Sequence, residues 1–130
     1  MNHDPQTHLA MDPSLCGEPV ALSEDRATVE LKTLGSMVAD ERGLVHGGFI
    51  FSLADYAAML AINHPNVVLG AAQTKFLRPV TVGDKVVADA HVDRRDGKKI
   101  FVQVKVSRGE DVVFEGEFTC FTPSKHVLDR

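Results

Sequence analysis

The sequence predicts an α+β domain: one long, largely buried helix followed by a run of short antiparallel strands. Three observations carry this expectation. From residue 49 to 62 only Ser52 and Asp55 are strongly polar, and Ala, Leu and Met dominate, a composition that favours helix and buries it on most sides. Four other stretches alternate apolar and polar residues, the period of a half-buried strand. They are joined by compact turn signals, and no linker or repeat divides them.

Residues 1–15 are polar and contain Pro5 and Pro13. They are expected to be a flexible start, with a short helix near 7–11 and His3 and His8 in solvent. Residues 16–123 form the single domain, and 124–130 a polar tail. Residues 20–34 place Ala27, Val29, Leu31 and Thr33 on one face and Arg26, Thr28, Glu30 and Lys32 on the other, which reads as one strand. Residues 35–45 make a loop feeding the helix. Gly47-Gly48 opens the helix and His64-Pro65 closes it, giving a rod of about 25 Å. That is too short for a membrane span.

Residues 67–77 read as a strand interrupted by Gly70-Ala71-Ala72, small residues that let a helix or ligand come close. Pro79 and Gly83-Asp84 turn the chain. Residues 85–93 alternate with His91 on the polar face. Asp96-Gly97 makes a hairpin tip, and a last hairpin joins 100–108 to 112–121 around Gly109-Glu110-Asp111. Phe114, Gly116, Phe118 and Cys120 share one face of the final strand.

The chain has 130 residues, 44% of them hydrophobic and 25% charged, ordinary for one soluble domain. A net charge of −4 gives no electrostatic footprint for nucleic acid. Two cysteines, Cys16 and Cys120, show neither metal-ligand spacing nor a disulfide framework, so a reduced, cytoplasmic setting is expected and no metal. There is no basic-then-apolar leader.

Asp55 is the anomaly. An unpaired carboxylate in apolar surroundings is costly, so it shifts its pKa or finds a partner. Either it escapes to solvent or a neighbouring chain, or it serves as a general base or nucleophile in a dry pocket. The glycines fit the second reading. A helix N-terminus carries unpartnered N–H groups and a positive dipole end, and without a Cβ a ligand oxygen can approach. A bare glycine helix start is, however, a common structural feature. Gly47 lies eight residues before Asp55, about 12 Å along the axis. Both groups must reach one carbonyl to within about 3 Å, which one helix does not easily allow. A two-fold copy could supply the second group. A homodimer with its site at the seam is therefore expected.

His46-Gly47-Gly48, then six residues, then Asp55 resembles the hotdog-fold acyl-CoA thioesterases of the phenylacetate-degradation type. Gly43, Phe76-Leu77-Arg78-Pro79 and Gly83-Asp84 extend the likeness over most of residues 35–121. The resemblance implies a long central helix wrapped by a five- to six-stranded antiparallel sheet. It implies a homodimer, paired into a tetramer. The reaction implied is hydrolysis of a small or medium acyl-CoA, aryl groups included, with coenzyme A as part of the substrate and no cofactor. Asp55 would activate water or attack, Gly47 N–H would hold the oxyanion, and His46 would stand beside it. Gly48, Asp40, Gln73, Phe49, Met59 and Phe76 are candidate substrate contacts. Asp40 and Gln73 depart from the Asn and the Ser or Thr usual in that family. Arg94, Arg95, Lys98 and Lys99 at the hairpin tip are either a solvated turn or a clamp for the phosphates of coenzyme A. A non-catalytic acyl-CoA sensor is the competing reading. A hydratase ranks below both, since no second acid–histidine pair is evident.

Overall fold

The computed structural model describes residues 3–129. Met1, Asn2 and Arg130, which belong to the expected flexible start and polar tail, lie outside that range. A one-turn helix, α1 (Pro13–Cys16), leads into a hairpin, β1 (Glu18–Ser23) and β2 (Arg26–Lys32). The long helix α2 (Gly47–Ile62) follows, then β3 (Val68–Phe76), β4 (Lys85–Asp96), β5 (Lys99–Arg108) and β6 (Asp111–Phe121). All six strands join one antiparallel sheet in the order β1-β2-β4-β5-β6-β3. One helix lies across one face of that sheet, as expected. No helix among the described residues is long and apolar enough to cross a membrane.

Local chemistry sets the helix ends. His46, in extended conformation, accepts Gly48 N–H at its Nδ1, which relieves one orphan amide of the first turn. Asn63 adopts the left-handed conformation (φ 55°) and donates its N–H to Met59 O, an αL stop that Asn tolerates. Between them Leu53, Ala54, Ala57, Ala58 and Leu60 are fully buried. The helix lies mainly over β2, β4 and β5. Their inward rows, Ala27-Val29-Leu31, Val86-Ala88-Ala90 and Val102-Val104-Val106, form the floor of the core.

The stretch 20–34 is two strands, not one. Glu24-Asp25 turns the chain with Asp25 at φ 60°. Apolar–polar alternation continues through a two-residue turn that contains no glycine, and Asp is among the residues that tolerate that φ. The start of the domain also differs from expectation. The helix is at Pro13–Cys16, capped by Asp12 Oδ1 on Ser14 N–H with Pro13 in the first turn. Residues 3–12 form a strap. His3 N–H bonds Leu22 O, Gln6 N–H bonds Asn63 Oδ1, and Asn63 Nδ2 bonds Asp4 O. Thr7 is buried, and His8, expected in solvent, is half-buried with its pKa lowered by desolvation.

Gly17 joins α1 to β1 at φ 100° in a buried corner. A Cβ there would come within 2.8 Å of Leu53 Cδ1 and Val29 Cγ1 and 2.9 Å of Glu30 O. Gly17→Ala is therefore expected to destabilise the fold by about 2–4 kcal/mol, combining backbone strain with overpacking. Chemical denaturation followed by far-ultraviolet circular dichroism checks this.

Candidate active site

The start of α2 carries a bare amide. With Gly48 N–H taken by His46 Nδ1 at 2.9 Å, the Gly47 N–H is left without a hydrogen-bond partner among the described residues. Because Nδ1 accepts, the His46 ring proton sits on Nε2, and the ring stands edge-on to half-buried Phe49, centroids 6.4 Å apart. Gly48, expected to contact substrate, thus spends its N–H on the cap. A cleft of about 350 Å³ opens at Gly47, lined by Val45, Ile50, Phe76, Pro79 and Val113 among others. The Phe76 ring is 3.0 Å from where a Gly47 Cβ would stand and meets Phe114 edge-to-face at 5.0 Å. A side chain at position 47 would press on that ring. The far wall, residues 79–84, is braced by Arg108, which donates to Pro79 O at 2.6 Å and Asp84 Oδ2 at 3.4 Å. Asp84 in turn accepts from Thr81 N–H and Oγ1, which holds its carboxyl below the usual range.

Asp55 sits two turns further along α2. Its Oδ1 is buried and has no hydrogen-bond partner among the described residues. Desolvation pushes its pKa up to about 6. It does not line the Gly47 cleft, so one chain by itself does not bring Gly47 and Asp55 onto a common substrate. Met59, one turn on, is buried in the core rather than in a cleft.

The sheet leaves one flank open. β3 ends the sheet, so its outer row of N–H and C=O groups lacks a partner strand among the described residues, and Gly70, Ala71, Ala72 and Gln73 are exposed. Phe76 and Leu77 beyond them are 56% and 46% exposed. Long exposed edges are places where another chain adds on.

Two expected contacts are placed elsewhere. Gln73 pairs with Glu117 on the face away from α2 and lines a polar depression with Gln103 and His91. The strand has a bulge between Leu69 and Ala71, which adds one residue and reverses the phase of the alternation. Thr74, opposite Gly116 in the row of Phe114 and Phe118, is the inward polar residue instead. The Gly70 in the strand was the signal. Asp40 uses Oδ1 to accept Arg42 N–H at 2.9 Å and Leu44 N–H at 3.2 Å; it folds its own loop and is exposed.

The basic hairpin is split as well. A second bulge, between Val92 and Arg94, sets Arg94 opposite Phe101 and Arg95 opposite Ile100. Arg94 lies over the Phe101 ring, 3.9 Å from its centroid, and pairs with Glu117 at 3.2 Å. Arg95 makes a forked pair with Asp25 at 2.9 and 3.3 Å. Lys98 and Lys99 have no ion pair among the described residues. Lys98 and Arg95 line a cleft of about 720 Å³ at the start of β3, with Gly70, Phe121, Thr122 and Ser124. Among the described residues no cluster of acids, histidines and cysteines can hold a metal.

A sequence model of the thioesterase superfamily matches residues 42–115, the span that holds the helix, its glycine start and the open edge. The chain belongs to the thioesterase superfamily. Its fold is the hotdog fold. An uncharacterized protein from Pyrococcus horikoshii superposes with a TM-score of 0.97 at 53% identity, over 99% of both chains. Within the superfamily, a variant of the phenylacetic acid degradation protein PaaI from Thermus thermophilus superposes with a TM-score of 0.77 at 26% identity, over 86% of this chain and 100% of that one. Among curated sequences, a methylthioribose-1-phosphate isomerase of Aquifex aeolicus is 58% identical over 88% of this chain but only 25% of its own length. A transcription factor FapR of Caldanaerobacter subterraneus is 42% identical over 72% of this chain and 47% of its own length. The chain thus spans a quarter to about half of these curated relatives, whose names describe molecules larger than the part they share.

Burial of Asp55 has a consequence for stability that is independent of any reaction. Its folded pKa of about 6 exceeds the ordinary 3.8. Its contribution is therefore present below about pH 4 and lost as pH rises through 6. Asp55→Asn removes that loss, and is expected to stabilise the protein at pH 8 by up to about 3 kcal/mol while leaving stability near pH 4 unchanged. Denaturant midpoints at the two pH values check this.

Proposed function

We propose that this chain hydrolyses the thioester of a small or medium acyl-CoA, aryl acyl groups included, in sites formed between two copies. The observation that carries the reading is Asp55, a desolvated acid with a buried, unpartnered oxygen on an otherwise apolar helix. Such a group is a base matched to neutral pH. The open edge of β3 supports the pairing. Two such edges joined about a two-fold axis run antiparallel, so the start of one β3 lies beside the end of the other. That brings the Gly47 end of one chain towards the inner face of its partner.

In this arrangement the thioester oxygen accepts the free Gly47 N–H at the positive end of α2. Asp55 of the other chain takes a proton from water as its oxygen bonds the carbonyl carbon. Collapse of the oxyanion breaks the C–S bond, and the thiol of coenzyme A leaves with a proton. Attack by the Asp55 carboxylate itself, through an anhydride that water then opens, uses the same groups. Single-turnover hydrolysis in ¹⁸O-water separates the two routes by whether label enters the protein. Phe76 and Phe49 would flank the acyl group. Selectivity there is shallow, about 1–3 kcal/mol per methylene.

Asp55→Asn is expected to fold and self-associate but lose at least about 10³-fold in thioester cleavage. The wild-type kcat/KM should rise with pH through an acid limb near 6. Undiminished turnover by Asp55→Asn in a thiol-release assay over phenylacetyl-, benzoyl- and straight-chain acyl-CoAs would refute the assignment. Composite sites have a further signature. Co-expressed Asp55→Asn and Gly47→Val chains, each inactive alone, should regain about a quarter of wild-type activity, because half the dimers are hybrids with one intact site. Sites contained within single chains would regain none.

The antiparallel pairing also sets the Lys98 cleft of one chain beside the Gly47 cleft of the other, within reach of the nucleotide end of the substrate. Lys98→Ala with Lys99→Ala is expected to raise KM about 5- to 20-fold for an acyl-CoA, with no change for the acyl-pantetheine. Steady-state kinetics on the two substrates checks this.

The second reading is an acyl-CoA sensor, supported by the 42% identity to a transcription factor. It predicts ligand-induced stabilisation with no thiol released.

A further inference from the structure

We propose that Cys120 is a positioning residue for Asp55: its buried thiol closes the floor beneath the acid without offering it a hydrogen bond, and so keeps the carboxyl dry. The inference rests on reading Asp55 as the acid of the site.

The placement follows from helix and strand advancing in the same direction, with the Phe51–Phe118 contact as the anchor. At the start of α2, Gly47 shares a cleft with Val113, the third residue of β6. One turn further along the helix and five residues further along β6, the Phe51 and Phe118 rings lie 5.5 Å apart. The next turn of the helix, about 6 Å further, is Asp55. The next inward residue of β6, about 6.7 Å further, is Cys120. The two groups therefore face one another. The ionised carboxylate joins burial in raising the Cys120 thiol to about 12.

At neutral pH the thiol is thus uncharged, and burial alone raises Asp55. The thiol proton is directed to Phe118 O, 3.8 Å from the sulfur. Cys120 itself is fully buried. No other titratable group among the described residues faces the acid. The inward row of β3 brings Leu69, Ala72 and Thr74, that of β5 brings Ile100 and Val102, and on α2 itself Ser52 and Tyr56 turn towards Cys16 of α1. A serine at position 120 would differ from cysteine by one atom, yet its hydroxyl is a far better donor and would stabilise the ionised acid.

The test is ¹³C-carboxyl NMR titration of Asp55 in the wild type and in Cys120→Ser and Cys120→Ala. Cys120→Ser is expected to lower the Asp55 midpoint by about one pH unit, and the acid limb of kcat/KM with it. Cys120→Ala is expected to leave both in place. An unshifted serine variant overturns the proposal, as does an alanine variant that shifts as far as serine. A measurement on the wild type needs no change at position 120. The infrared S–H stretch of Cys120 should be the same at pH 5 and pH 8 and in Asp55→Asn. A band that moves to lower frequency as Asp55 ionises would show the thiol donating to the acid, and would overturn the proposal. These readouts follow the carboxyl and the thiol rather than turnover. Full turnover by Asp55→Asn would remove the catalytic reading while leaving this one to stand or fall by itself.

Discussion

The cost of holding one carboxyl against an apolar helix shapes the rest of this molecule. α2 is apolar on nearly every side, packed on the sheet along its length and tied to the strap at its end. Into that rod the chain places Asp55, with an oxygen that finds no partner among the described residues. Burial without compensation makes the carboxyl a weaker acid, and so a stronger base than any solvent-exposed aspartate. The sheet does not finish the job of enclosing it. The helix lies over β2, β4 and β5, while β3 stands at the margin with its backbone edge open and Phe76 and Leu77 in solvent. An open edge of that length is one on which another strand can add.

The helix start solves a complementary problem. Two successive glycines present two amides, and only one of them is left free. His46 removes the choice by accepting the second amide at Nδ1. Phe76 then leans on Gly47, so that a side chain there would have to push the ring aside. The arrangement depends on contacts from outside the motif. Arg108, remote in sequence, braces the wall that Pro79 and Asp84 belong to.

Much of this was legible in the sequence, and the failures have several causes. The helix, the isolation of Asp55 and the turns at Gly83, Gly97 and Gly109 follow from composition and local chemistry. Phe76 was expected at the site and lies against Gly47. Parity along strands was less secure. Gln73, a substrate contact on the resemblance, faces away from the helix; Arg94 and Arg95, read as a solvated turn or a clamp, are each paired with a different acid. A bulge lies just before each, adding a residue that simple alternation counts as ordinary. The 20–34 stretch failed for the opposite reason, because its turn is too short to interrupt the pattern. The strap of residues 3–12 was missed because its ties are backbone amides and one asparagine side chain, to which composition is blind. The face of Cys120 follows from alternation along β6, but that of Thr74 only from the register of β3 on β6.

The bulge at Gly70 therefore decides more than local curvature. Deleting that one residue would slide everything beyond it by one position, turning an amide and a lysine towards the helix and a hydroxyl and a phenyl ring out to water. The chemistry this wall presents is thus set by how many links the chain contains before it, as much as by which side chains it carries.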